Sequence, residues 1–169
     1  MSERPYRHRV IGSAQQLPFQ EAAFDLVSAL DVLEHLDDDA AAAHDVWRVL
    51  KPGGTAVVFV PAYAFLWRKN DEFSHHRRRY TRATLATLLQ GAGFELAEIG
   101  YFNTLLFFPQ VIASLIERAV PSLIQNMERP QEETLMNRLL ERTFALEVSL
   151  LKRTPLPFGA SVYCLAHKS

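Results

Sequence analysis

The stretch from Phe24 to Leu36 constrains this chain more than any other. Phe24-Asp25-Leu26-Val27-Ser28-Ala29-Leu30 is mostly apolar over a strand's length, and Asp31, Glu34 and His35 then collect just beyond it. A strand buried in a parallel sheet has this profile, with a polar lip at the carboxyl end where α/β folds present groups to ligands. Leu36-Asp37-Asp38-Asp39 leads into a helical pattern that places Ala43, Val46, Trp47 and Leu50 on one face. Acids at that end suit the positive pole of the helix, and one of them can cap it. Lys51-Pro52-Gly53-Gly54 reads as the stop. Thr55 to Val60 is apolar on both alternating faces, so a second covered strand follows. Strand, helix and strand with short links make a parallel βαβ unit.

Upstream, Arg9-Val10-Ile11-Gly12 reads as a short strand, and Gln15 to Ala23 as a loop anchored by Leu17 and Phe19. Downstream, Pro61 ends the second covered strand, and Tyr63, Phe65, Leu66, Trp67 and Phe73 lie in an irregular stretch suited to a lid or pocket wall. Thr81 is the expected N-cap of a helix through Leu85, Leu88 and Leu89 that closes at Gly91-Ala92-Gly93. Phe94 to Tyr101 is the next strand, and Ala160 to Ala166 the last.

No charge interrupts Ile99 to Ile116, but Gly100, Asn103, Pro109 and Gln110 do. That argues against a membrane span and for a helix with Pro109 in its first turn and a stripe of Val111, Ile112, Leu115, Ile116 and Ala119. Glu132 to Arg153 is a wide amphipathic helix by its leucine spacing.

At 169 residues and 49% hydrophobic content the chain suits a single domain over 1–169: a core half over 1–100, a helical insertion over 101–153 and a final strand over 154–169. A net charge of -1 gives no global pull toward nucleic acid, and none is expected as a partner. The single cysteine, Cys164, excludes an internal disulfide and a cysteine-rich zinc site, and fits a reducing, cytoplasmic setting. His75 and His76 beside Asp71 and Glu72 do not read as a metal site, because adjacent histidines point apart in most backbones.

Taken together, Gly12-Ser13-Ala14 with Leu17-Pro18-Phe19, Phe24-Asp25-Leu26-Val27, Asp31-Val32-Leu33-Glu34-His35-Leu36, and Arg48-Val49-Leu50-Lys51-Pro52-Gly53-Gly54 resemble the later half of the class I S-adenosylmethionine-dependent methyltransferases. His76-Arg77-Arg78-Arg79-Tyr80-Thr81 and Pro157-Phe158-Gly159-Ala160-Ser161 resemble a bacterial branch associated with envelope or polyprenyl-linked glycan pathways. The resemblance implies an α/β, Rossmann-like fold without its N-terminal part. Its sheet would be mostly parallel with an antiparallel final strand, and extra C-terminal helices would follow. In the family's strand order, three-two-one-four-five-seven-six, the third strand onward is expected here. The family's Gly-rich loop and ribose-binding acid belong before Val10, and the residues there carry neither. The organising strand is then expected to lack a neighbour on one side and to invite pairing with another chain or a second copy.

By the same resemblance S-adenosylmethionine is the cofactor. Ser13 and Ala14 match the loop that meets the adenine, and Leu30 and Asp31 match residues near the methionine part. Many relatives carry Asp where Ser13 stands. Glu34 and His35 read as a helix start with local hydrogen bonding. His76, Arg78, Arg79 and Tyr80 lie where relatives line the substrate entrance, and arginine forks suit phosphate or carboxylate, so a small anionic or lipid-linked acceptor is expected. The other reading of that run is a solvated turn. No catalytic side chain is singled out, since methyl transfer rests on positioning. Two further readings remain at this stage. One is a non-catalytic methyltransferase-like remnant or interaction module that pairs through its open sheet edge; the other is peripheral membrane contact through Leu105 to Val120 and the basic run.

Overall fold

The computed structural model describes residues 8–119 and 156–169. In chain order these form β1 (Phe24–Leu30), a 3-10 turn (Leu33–His35), α1 (Asp39–Val49), β2 (Leu50–Pro61), a second 3-10 turn (Ala64–Leu66), α2 (Lys69–Phe73), α3 (Arg82–Gly91), β3 (Phe94–Phe102), α4 (Thr104–Ala119) and β4 (Ser161–Lys168). One four-stranded sheet runs in the order β1-β2-β4-β3. β1 and β2 are parallel, and β4 is antiparallel to both β2 and β3. Three strands therefore point one way, with the reversed final strand between two of them. This is the α/β sheet the sequence implies.

Local chemistry explains most of the elements. Asp38 Oδ1 accepts the Ala41 N–H at 2.8 Å to start α1, whose Ala42, Ala43 and Val49 are buried. β2 alternates, sending Ala56, Val58 and Val60 into the core. Thr81 Oγ1 accepts the Thr84 N–H at 3.2 Å to cap α3, which buries Leu85 and Leu89. These residues meet Leu33, Leu50, Val162 and Cys164 in a single core. Cys164 is fully buried mid-strand, and burial pushes its thiol up to about 12, so it packs as a small hydrophobe.

Several expectations are corrected. Arg9 to Gly12 forms no strand, and the Ile11 side chain stands wholly in solvent. A strand needs a neighbour for its N–H and C=O groups, and among the described residues none lies on that side of β1. As the resemblance implied, β1 has no neighbour on that side among the described residues, but its apolar side chains are not covered as a buried strand's would be. Only Ala29 of β1 is buried, while Leu26 and Leu30 are 59% and 58% exposed. Lys51-Pro52-Gly53-Gly54 belongs to β2 instead of forming a free turn, with a register shift against β1 between Phe24 and Leu26. Gly53 has φ +76, and a Cβ on Gly54 would sit 2.8 Å from the Lys51 carbonyl oxygen, so the bulge needs glycine at both positions.

α4 begins at Thr104, which places Pro109 inside the helix rather than in its first turn. Its apolar stripe also faces the other way. Ser114 and Glu117 are buried, whereas Leu105, Phe108, Ile112, Leu115 and Ile116 are exposed. Polar docking explains the inversion: Ser114 Oγ donates to the Phe65 carbonyl at 3.2 Å, and Glu117 accepts from Arg68 Nε at 3.0 Å and from the Lys69 N–H at 2.7 Å. No helix among the described residues is long and apolar enough to cross a membrane. The expected helix over Glu132 to Arg153 lies outside the described residues.

Candidate active site

The carboxyl ends of β1, β2 and β3 share one edge of the sheet. Each is followed by a non-glycine residue in the left-handed region: Asp31 at φ 51, Tyr63 at φ 54 and Asn103 at φ 62. Such backbone is costly and persists where surrounding contacts enforce it. Asp31 is held by its N–H to the Phe59 carbonyl at 2.9 Å, and Tyr63 by its N–H to the Tyr80 carbonyl at 2.8 Å. Asn103 Nδ2 donates to Ser161 Oγ at 3.0 Å, and its carbonyl accepts from the Ala160 N–H at 3.3 Å. The strained residues thus stitch the loops onto the sheet.

Of the residues predicted to meet the cofactor, Leu30 and Asp31 stand at this edge and are exposed. Burial of its carboxyl pushes the Asp31 pKa up, and the nearby His76 and His35 partly offset this. Ser13 is also exposed; its Oγ accepts the Gln15 N–H at 3.2 Å within a tight turn that includes Ala14. Gln15 Nε2 reaches the Asp38 carbonyl at 3.2 Å, which carries the turn toward the start of α1. Behind the turn, Asp45 Oδ2 accepts the Leu17 N–H, and Arg48 donates to the Leu17 and Phe19 carbonyls at 3.0 and 2.8 Å. Leu17 and Phe19 therefore anchor the loop as predicted, largely through backbone held by one ion pair.

The run His76 to Tyr80 is neither a solvated turn nor a set of unpaired cations. Asp71, 1% exposed, sits at its centre. Asp71 Oδ1 bonds His76 Nδ1 at 2.9 Å and Arg79 Nε at 2.8 Å, and Oδ2 accepts from the Arg68 N–H at 2.9 Å and Arg79 Nη2 at 3.0 Å. Burial pushes the Asp71 pKa up, but these partners outweigh it and hold the carboxyl below its usual range. Arg79 Nη1 also donates to the Ala62 carbonyl at 3.0 Å. Arg78 pairs with Asp39 at 2.9 Å and donates to the Leu36 and Asp37 carbonyls, while the Tyr80 hydroxyl donates to Asp39 Oδ2 at 2.7 Å. The acids at the start of α1 and the arginines of the run lock two loops across the sheet edge.

Glu34, part of the polar lip seen in the sequence, sits in surroundings the sequence did not reveal. It is fully buried and neither carboxylate oxygen has a hydrogen-bond partner among the described residues, so the expected helix-start bond from this side chain is absent there. Burial pushes its pKa up to about 7; the nearby amide of its own backbone opposes the shift without meeting hydrogen-bond geometry, and Asp31 adds to it. The Glu34 carbonyl accepts the Arg77 N–H at 2.6 Å, and the His35 and His76 rings meet edge-on at 4.6 Å. No spacing rule in the sequence would have flagged an unpaired carboxylate. Nearby, Tyr63 stacks on Phe65 and Tyr101, each at 5.1 Å, and meets Phe107 at 5.8 Å, so part of the expected aromatic wall forms. Leu66 is instead in the core.

A family model described as a methyltransferase domain matches residues 2–58. A protein of Mycolicibacterium smegmatis described as a probable S-adenosylmethionine-dependent methyltransferase is 35% identical over 95 residues, covering 54% of this chain and 37% of that protein. A demethylmenaquinone methyltransferase of Lactiplantibacillus plantarum is 30% identical over 118 residues, covering 54% of this chain and 50% of its own length. The chain thus spans half or less of these curated relatives. Among solved structures, an S-adenosylmethionine-dependent methyltransferase from Thermotoga maritima superposes with a TM-score of 0.56 at 22% identity, covering 94% of this chain and 62% of that one.

Proposed function

We propose that this chain is a member of the class I S-adenosylmethionine-dependent methyltransferases, a reading supported by its match to a methyltransferase domain over residues 2–58, and that it serves methyl transfer to a small anionic or lipid-linked acceptor at the carboxyl edge of β1 and β2. The observation that carries this reading is Asp31: a carboxylate on enforced left-handed backbone, at the end of a strand whose last residue, Leu30, is exposed beside it. S-adenosylmethionine, when bound, supplies the methyl group as a sulfonium. Asp31 offers an acceptor to an ammonium group and Leu30 offers apolar surface, which fits the methionine end of that molecule. The Ser13–Ala14 turn supplies the adenine side.

On the acceptor side, Arg78, Arg79 and Tyr80 set the position of the loop. His76, its ring oriented by Asp71, belongs to the same loop. Asp37, Asp39 and Asp71 pair with the cations of the run, so an anionic group on the acceptor would be met by hydrogen bonding more than by unpaired positive charge. A second reading concerns assembly. Leu26 and Leu30 are exposed on an edge strand, and a strand from another chain or a second copy would cover that edge.

Calorimetric titration with S-adenosylmethionine or its demethylated product tests the main reading. Micromolar binding is expected, weakened tenfold or more by Asp31→Ala as a charge-assisted hydrogen bond is lost. Binding unaffected by that substitution would remove Asp31 from the site, and silence at millimolar ligand would exclude cofactor binding by this chain alone.

A further inference from the structure

Glu34 presents a chemical anomaly. A carboxylate with no solvent exposure and, among the described residues, no partner for either oxygen is rare, because burial strips it of water without replacement. Its surroundings supply what could complete it. One ligand atom each from Glu34, His35 and His76 lies within 4.8 Å of the others. Ligands about 2.1 Å from a shared tetrahedral centre stand roughly 3.4 Å apart, so the three side chains would draw closer on binding, the exposed His35 with the most room to move.

His76 is prepared for such a role. Its Nδ1 lies 2.9 Å from Asp71 Oδ1, which fixes the tautomer and leaves the Nε2 lone pair to a ligand. Asp71 is itself clamped by Arg79 and the Arg68 N–H, so the imidazole is oriented by a rigid group. Carboxylate, histidine and metal in that sequence is a recurrent way of raising ligand basicity. Two neighbouring loops converge at the point, one through Glu34 and His35 and the other through His76, and the Arg77 N–H to Glu34 carbonyl bond of 2.6 Å ties them together.

We infer that Glu34, His35 and His76 form a binding site for a single divalent transition-metal ion of the imidazole-preferring class, with zinc as the reference ion. Two imidazoles and one carboxylate leave a coordination position for water or another ligand, as open zinc sites do. The adjacent pair His75 and His76 does not form this site. The pair that meets is His35 with His76, from separate loops. The site needs no bound S-adenosylmethionine, so its test is independent of the methyltransferase reading.

The test uses the full chain, stripped with a chelator and checked for folding by circular dichroism. It is titrated with cobalt(II) followed by visible absorption, and with zinc(II) by calorimetry. One equivalent of cobalt should give saturable d–d bands, and zinc should displace it. His35→Ala should weaken binding at least tenfold, and Glu34→Gln and His76→Asn should do the same, while His44→Ala and His75→Ala should bind as the parent does. His35 is exposed, so its variant reports on ligation without disturbing the core. Absence of stoichiometric binding by the folded parent chain, or full affinity retained in His35→Ala, would overturn the inference.

Discussion

Asp71→Ala should be among the most damaging single substitutions in this chain. Removing the carboxylate deletes contacts to His76, to the Arg68 N–H and twice to Arg79, all between 2.8 and 3.0 Å. The larger effect is on the partner left behind. The Arg79 side chain is 9% exposed and its guanidinium stays charged at any accessible pH, so it becomes a buried cation held only by the Ala62 carbonyl. Breaking one side of such a pair costs about 3–5 kcal/mol, against a total of roughly 5–15 kcal/mol for a typical domain.

Urea unfolding followed by circular dichroism would measure the loss by linear extrapolation. The double variant Asp71→Ala/Arg79→Met removes the stranded charge as well and should recover much of the deficit. The pH dependence has a definite sign. Because the native state holds the Asp71 carboxyl below its usual range, the stabilisation is present above the unfolded value near 3.9 and is lost as pH falls through the lower folded value. Asp71→Ala should lack that acid limb. A loss below about 1 kcal/mol, or a double variant no more stable than the single one, would refute the idea that a buried ion pair frames the site.

Asp45→Asn should loosen the loop that carries Ser13 and Ala14. The bond from Arg48, with help from the Leu17 N–H and against burial, holds the Asp45 carboxyl below its usual range, so the variant should lose about 1.5–3 kcal/mol near neutral pH and less as pH falls below about 4. Urea curves at several pH values would show this, and a constant difference across the acid range would contradict it. Leu26→Lys should convert any self-associated form to a lower mass by light scattering, since charge on an edge strand discourages pairing. An unchanged mass for an oligomeric parent would place the contact elsewhere.

The parts of the fold legible in the sequence are those fixed by local chemistry. Thr81 caps its helix as read, one of the three acids before α1, Asp38, caps that one, and the alternation of Thr55 to Val60 and the final strand, read from Ala160 and observed from Ser161, give core strands. The parts misread depend on what lies across space. Val10 and Ile11 have strand propensity but no neighbour to pair with among the described residues. α4 looks like a helix that buries its apolar stripe, yet the partners that orient it are the Phe65 carbonyl and the backbone before α2, contacts across roughly fifty residues that no periodicity encodes. The arginine run was ambiguous for the same reason. Its carboxylates at Asp37, Asp39 and Asp71 become partners only when two loops cross. Glu34 is the extreme case, since being unpaired is a property of surroundings and not of spacing.

These contacts also explain why the candidate site is asymmetric. On the side of β2, β3 and β4 the edge is stitched: the Ala62 N–H donates to the Ala160 carbonyl at 2.8 Å, the Tyr80 N–H to the Pro61 carbonyl at 2.9 Å, and Asn103 grips Ser161. Because β4 is reversed, its first residues arrive at the same edge where β2 and β3 end, so all three strands contribute backbone to one rigid rim. On the side of β1 only the Asp31 N–H bond to Phe59 and the Ser13 turn guard the edge, and the strand's outer flank is bare among the described residues. An acceptor bound near His76 would therefore meet a prebuilt wall. A cofactor laid over Leu30 and Asp31 would meet a surface held from one flank alone. If the methyl donor binds here, its affinity depends on what covers β1, whereas the geometry around His76 and Glu34 does not.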